Sequence, residues 1–176
     1  GDGGPSAGVY HAMAHEAARG VTVLFGGQDQ DNGGGLGDTW EWDGARWAQA
    51  EDDDGPSARH SHAMACDAAR GVTVLFGGDD DARGYLDDTW EWDGVRWAQV
   101  AAEGDAGPSP RVYHAIAHDA ARGATVPFGG QDQDNGARLR HTGAWDPAPL
   151  APPRDGPGPP ARHPPPPAPR PPPGLA

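Results

Sequence analysis

The chain contains no lysine. Its 13 basic residues are all arginine, they face 26 acidic ones, and the formal net charge is −13. That balance argues against nonspecific binding to nucleic acid and against docking on anionic membranes, since both need a basic face. Cysteine is nearly missing too: Cys66 stands alone, so no internal disulfide can form and the redox compartment is left open. No apolar run approaches the length of a membrane span, and no secretory signal pattern is visible. The chain begins at Gly1 instead of Met, which leads us to expect a fragment or a processed product. Only 36% of the residues are apolar, an amount that points away from a helical bundle and toward a turn-rich or partly disordered chain.

What is plentiful is glycine and proline, 28 and 20 of the 176 residues. The length suits about one domain. Much of the glycine is periodic. "RGVTVLFGG" begins at Arg19 and again at Arg70, and "RGATVPFGG" begins at Arg122, at intervals of 51 and 52 positions. A repeat of this length marks a stack or ring of similar supersecondary units. Each copy opens with Gly-Pro-Ser, at Gly4, Gly55 and Gly107. The copies divide the chain into 4–54, 55–106, 107–147 and a remainder, 148–176.

Within a copy four strands can be read. "HAMAHE" from His11, "HAMACD" from His62 and "HAIAHD" from His114 alternate with period 2, as a strand does. Ala-Ala-Arg-Gly then forms a turn, with Gly20, Gly71 and Gly123 free to take positive φ. The second strand, "VTVLF", is β-branched and aromatic. It ends in a glycine pair, Gly26-Gly27, Gly77-Gly78 or Gly129-Gly130, which permits sharp redirection and close backbone approach. After a polar loop, "TWEW" carries Trp40 and Trp42 on one face, as it does Trp90 and Trp92. Asp43-Gly44 and Asp93-Gly94 are type I′ hairpin signals leading into a fourth strand at Trp47 and Trp97. Each copy is expected to be a four-stranded antiparallel meander.

The glycine pair after an apolar strand, the "DTWEWDG" that follows and the tryptophan beyond it together resemble the kelch repeat, whose period is roughly 50 residues. The resemblance covers Gly4 to about Asp146 and looks most like the Asp-Ala-Ala-Arg-Gly type common in bacterial proteins. It implies an all-β fold in which each copy is one blade of a β-propeller, with partners docking on a face of inter-strand loops. Closed propellers need about 4–8 blades, so two blades and a degenerate third imply an open ring. Open blade faces in turn lead us to expect self-association.

The third copy departs from the pattern. Pro127 stands where Leu24 and Leu75 stand, and proline belongs on edge strands. "LRHTGAWDP" from Leu139 keeps Leu139, Thr142, Trp145 and Asp146 but loses one tryptophan and the turn glycine. The remainder ends in "PPPPAPRPPPGLA", which is expected to be extended or disordered. It reads either as a decayed or frameshifted fourth repeat, the preferred reading, or as a polyproline ligand.

His11/His15 and His114/His118 are four apart, which on a strand separates them by roughly 13 Å, too far to share a zinc ion. His60 and His62 are closer but lack a third ligand. "DQDNG" from Asp29 and from Asp132 echoes a calcium loop without its closing Glu. Kelch-like propellers include copper radical oxidases of the galactose oxidase type, yet no motif carries a copper site onto Cys66, Tyr10, Tyr85 or Tyr113. Recurrence of the tryptophans favours packing between copies over sugar stacking. No metal, cofactor or catalytic constellation is therefore expected.

The segment before the first strand is the candidate binding face by resemblance: Arg59 and His60 in "SARHSH", Arg111 and Tyr113 in "SPRVYH". The first copy has Gly8 where these have arginine. The two arginines either recognise an acidic partner bidentately or are solvated or satisfy loop carbonyls. The leading functional expectation is a non-catalytic protein-interaction or ligand-binding module of a larger propeller. The alternatives are a propeller enzyme or carbohydrate-binding protein whose active residues lie outside this chain, and a non-functional gene fragment.

Overall fold

A computed structural model describes residues 3–52, 54–105, 107–133, 136–140 and 142. Among them there is no helix, every strand pairing is antiparallel, and no sheet closes on itself. No helix is long and apolar enough to cross a membrane. The expected tail, 148–176, and the end of the third copy, 143–147, lie outside the described residues.

The first sheet contains β1 (Gly8–Val9), β2 (Ala12–Glu16), β3 (Val21–Asp29), β4 (Gly35–Trp42) and β5 (Trp47–Ala50). Strands β1 and β2 lie end to end along one edge of β3, and β4 and β5 follow on its other side. The second sheet runs β6 (Ala63–Asp67), β7 (Val72–Asp80), β8 (Gly84–Trp92) and β9 (Trp97–Ala101) in sequence order. In place of β1 it has a single bridge, His60 to Asp79. The third copy contributes β10 (Ala115–Asp119) and β11 (Ala124–Phe128). Pro127 sits in β11, which pairs with β10 on one side and, among the described residues, bridges through Phe128 to Thr142 on the other.

The register explains the packing. Met13, Leu24 and Trp40 are cross-strand neighbours and share one face of the first sheet. Ala14, Val23 and Glu41 share the opposite face, as do Ala12, Phe25 and Thr39. The second sheet lays its own Met64, Leu75, Trp92 and Trp97 onto Ala14, Val23 and Phe25, and this junction is the core. Small alanines on the inner strand let the second sheet approach. Each Val, Leu, Met or Phe side chain buried there is worth about 1.5–3 kcal/mol.

Polar clamps cross the same junction. Thr73 Oγ1 donates to Glu16 at 2.6 Å, Trp92 Nε1 to Glu41 at 3.0 Å, and Trp97 Nε1 to Thr39 at 2.9 Å. Glu16 and Glu41 are joined by Arg19, and Asp67 and Glu91 by Arg70, so each of the first two copies holds a carboxylate–arginine–carboxylate triad. Across the second junction His118 Nε2 lies 3.3 Å from Asp67.

The glycine pairs behave as their sequence implies. Gly26 and Gly27 have φ of 58° and 114°, Gly77 and Gly78 of 66° and 103°, Gly129 and Gly130 of 75° and 93°. A Cβ on Gly26 would lie 2.6 Å from the carbonyl oxygen of Arg59, because the next copy's backbone passes there. The hairpin reading needs correction. Asp43 and Arg46 close the turn through Asp43 N–H to Arg46 O, so its central residues are Gly44-Ala45, one position later than expected. Of these turn residues only Gly44 has positive φ, so the turn is not the type I′ expected, which needs it at both central residues. Asp43 instead spends its carboxylate on the amides of Ala45 and Arg46, and Asp93 does the same for Val95 and Arg96.

Candidate functional site

Each copy enters its first long strand through one residue with left-handed backbone: Tyr10 at φ 60°, Ser61 at 58° and Tyr113 at 56°. None is glycine, and each costs about 1–2 kcal/mol in that conformation. A ladder between copies holds them. Ser61 N–H donates to Tyr10 O at 2.8 Å and Tyr113 N–H donates to Ser61 O at 3.1 Å. Strain of this kind concentrates where a surface is built for a purpose.

The ladder brings side chains from all three copies together. The Tyr10 and Tyr113 rings meet edge to face with centroids 6.0 Å apart, and Tyr10 lies 6.1 Å from the His60 ring. Both tyrosines remain open to solvent, at 51% and 59% exposure, while His60, against Tyr10, is buried at 9%. His60 Nδ1 is 3.1 Å from Ser61 Oγ and its Nε2 is 3.8 Å from Asp81. Burial, helped by the neighbouring Asp81 and Asp80, raises the Asp79 carboxyl, and His60 opposes the rise. The result is an aromatic platform with an acidic margin, suited to stacking and to hydrogen bonding.

Of the residues expected at a binding face, Tyr113 is exposed beside Tyr10, and His60 is buried against Tyr10. Arg59 and Arg111 are not offered to a partner: both are 0% exposed. Arg59 forks onto Asp88 at 2.6 and 3.0 Å, and also donates to Gly77 O, Ser57 O and Ser57 Oγ. Arg111 makes the corresponding bonds to Gly129 O, Ser109 O and Ser109 Oγ. A buried guanidinium must spend its donors inside the protein. The reading in which these arginines satisfy loop carbonyls is the one the geometry bears out, and Arg59 is also ion-paired with Asp88.

The other expected positions are packing or turn residues. Trp92 and Trp97 are buried at 1% and 4% between sheets, and Trp90 is half-buried against that core, its indole donating to Asp88. Trp42 and Trp47 pack on each other at a tilt, half-buried, with centroids 5.5 Å apart. Trp40 donates to Asp38. His62 and His114 pack edge-on against Phe25 and Phe76 of the preceding copy. Burial, with the charge of Arg59 adding to it, pushes His62 down to about 3, and burial with Arg111 pushes His114 down to about 4. The nearby backbone of Phe25 and of Phe76 resists weakly but offers no hydrogen bond of good geometry.

The loop carboxylates also have local work. Asp29 caps its own loop through the amides of Asp31 and Asn32, and Asp52 accepts the Trp97 amide at 2.6 Å. Burial raises the Cys66 thiol, and Glu16 and Asp67 add to the effect. Among the described residues no group of three or more His, Cys, Asp or Glu side chains is placed to hold a metal ion.

Sequence reasoning missed Tyr10 as a surface residue and missed the two carboxylate–arginine–carboxylate triads. The signal for the triads was present: Arg in "AARG" and Glu in "WEW" recur at matching positions of the first two copies. Ala144 replaces that glutamate in the third copy, where Arg122 is 79% exposed. Compared with protein-family models and with curated protein sequences, the chain matches none.

Proposed function

We propose that the chain is part of a kelch-type β-propeller and acts as a non-catalytic binding module whose docking face is the platform of Tyr10, His60 and Tyr113. The observation that carries the binding role is the exposed, strained tyrosine pair held by a hydrogen-bond ladder through three copies. Packing needs alone would favour glycine at such φ values, and two copies have tyrosine instead. Tyrosine supplies rigid, amphipathic contact area and is enriched at interfaces. The in-register repeat and the packing of successive antiparallel sheets on one another support the propeller reading. The ligand class is a protein or peptide segment.

Selection of peptides on the folded chain, followed by affinity measurement, tests the role. Tyr10→Ser and Tyr113→Ser should each weaken a selected peptide by ~10-fold or more while leaving the circular dichroism and the melting transition intact. Peptides that bind both variants as well as the parent would refute this face. Arg59→Ala is not a usable probe, because it strikes a buried ion pair.

A partial propeller also presents unmatched sheet faces. Met13 is 44% exposed where Met64 is 8%, and Phe128 is 57% exposed where Phe25 is 1%. The Met13 face of one chain complements the Phe128 face of another, a head-to-tail relation that builds rings or filaments. Concentration-dependent mass by light scattering, reduced by Met13→Glu, is the expected sign of such association.

A further inference from the structure

The first two copies hold the same cradle, carboxylate included, and only the second fills it from within. In the second copy Arg59 fits between Ser57 O and Oγ, the carbonyl of Gly77 and both oxygens of Asp88. Trp90 Nε1 fixes the Asp88 carboxylate from behind at 2.7 Å. The third copy repeats the serine and glycine contacts around Arg111.

The first copy keeps every wall. Ser6, Gly26 and Asp38 occupy the positions of Ser57, Gly77 and Asp88. Trp40 Nε1 fixes Asp38 Oδ2 at 2.5 Å, as Trp90 fixes Asp88. The backbone register is also kept, since Val9 pairs with Gln28 as His60 pairs with Asp79. But Gly8 stands where the arginine should be. Ser6, Gly8, Gly26, Leu36 and Asp38 line a cavity of about 240 Å³. Among the described residues Asp38 has no cationic partner. Nor can the chain readily supply one from position 8, because a Cβ there would lie 2.9 Å from Gln28 O.

We infer that this cavity is a receptor for a guanidinium group brought by another molecule, above all the side chain of an arginine in a bound peptide or protein. The carboxylate accepts the planar fork bidentately, and the Gly26 carbonyl and Ser6 oxygens take remaining donors. An ammonium is a point charge that cannot match the fork. The net charge of −13 draws cationic ligands toward it. The inference stands on the comparison between copies and is independent of the tyrosine platform.

The test is a two-dimensional amide and indole NMR titration of the full 176-residue chain. The probes are N-acetyl-arginine methylamide, methylguanidinium and N-acetyl-lysine methylamide. The expected result is a saturable shift of the Trp40 indole N–H and the Gly26 amide with the arginine compound. Binding should be ~10-fold or more weaker for the lysine compound and for Asp38→Asn. Ser6→Ala, which removes one exposed hydroxyl, should weaken it several-fold and serves if Asp38→Asn does not fold. Methylguanidinium binding as tightly as the arginine compound would assign the cavity to free guanidino compounds; weaker binding would assign it to peptide side chains. The inference is overturned by no saturable shift, by equal lysine binding, or by full binding in both variants.

Discussion

The indole of Trp97 donates a hydrogen bond to Thr39 Oγ1, 58 residues earlier in the chain, across the junction of two sheets. The same ring lies 5.3 Å from Phe25 and 5.6 Å from Trp92. One side chain therefore bridges copies by packing and by a polar bond. Trp97→Ala should cost about 3–5 kcal/mol, the range for large aromatic truncations in a core. Trp47→Ala, at the matching but half-buried position, should cost clearly less. Urea denaturation of the two variants side by side measures the difference.

Asp88 and Asp38 hold the same place in successive copies with different neighbours. Asp88 neutralises the buried Arg59; Asp38 meets only the Trp40 indole among the described residues. Asp88→Ala should strand a buried charge and cost about 3–5 kcal/mol. Asp38→Asn keeps an acceptor for Trp40 and should stay within about 1 kcal/mol of the parent. Equal losses in thermal denaturation would show that Arg59 does not depend on its partner.

Most of the strand framework was legible because it rests on local rules. Alternation set the faces of β2 and β6, and glycine pairs marked where the next copy's backbone crosses. What stayed hidden depends on neighbours in space. "SARHSH" spells an arginine beside two histidines, and nothing local says that Arg59 turns inward to an aspartate 29 positions later. The tyrosine platform was hidden for a related reason: Tyr10 and Tyr113 are 103 positions apart and meet only because the copies stack. The hairpin was misplaced by one residue because Asp43 has a second use, capping the turn with its carboxylate.

Acid should destabilise the fold earlier than carboxylate protonation alone would. His62 and His114 start from an ordinary value of 6.5 and are held near 3 and 4 in the folded chain. Below about pH 6.5 the unfolded chain takes up these protons and the folded chain does not. Stability is therefore complete above that pH and falls as pH drops toward 4. The limiting slope is about 1.4 kcal/mol per pH unit for each histidine. Asp67, Asp80 and Asp119, held below their ordinary value, act with the same sign at lower pH, while Asp79 acts oppositely. Urea midpoints at pH 7 and pH 5 give the slope, and His62→Gln should flatten it by about half.

Two glycines with similar backbone angles should respond very differently to alanine. Gly20 has φ 67° and nothing within 4 Å of an added Cβ, whereas Gly26 has φ 58° and the Arg59 carbonyl at 2.6 Å. Gly20→Ala should cost only the left-handed conformation, about 1–2 kcal/mol. Gly26→Ala pays that and must also push the second copy's backbone away, breaking the bond from Gly27 N–H to Arg59 O. It should lose the junction between the first two sheets, visible as exposure of Trp92 and Trp97 in fluorescence at temperatures where Gly20→Ala remains folded. Matching melting curves for the two variants would mean that the sheets do not meet through this glycine.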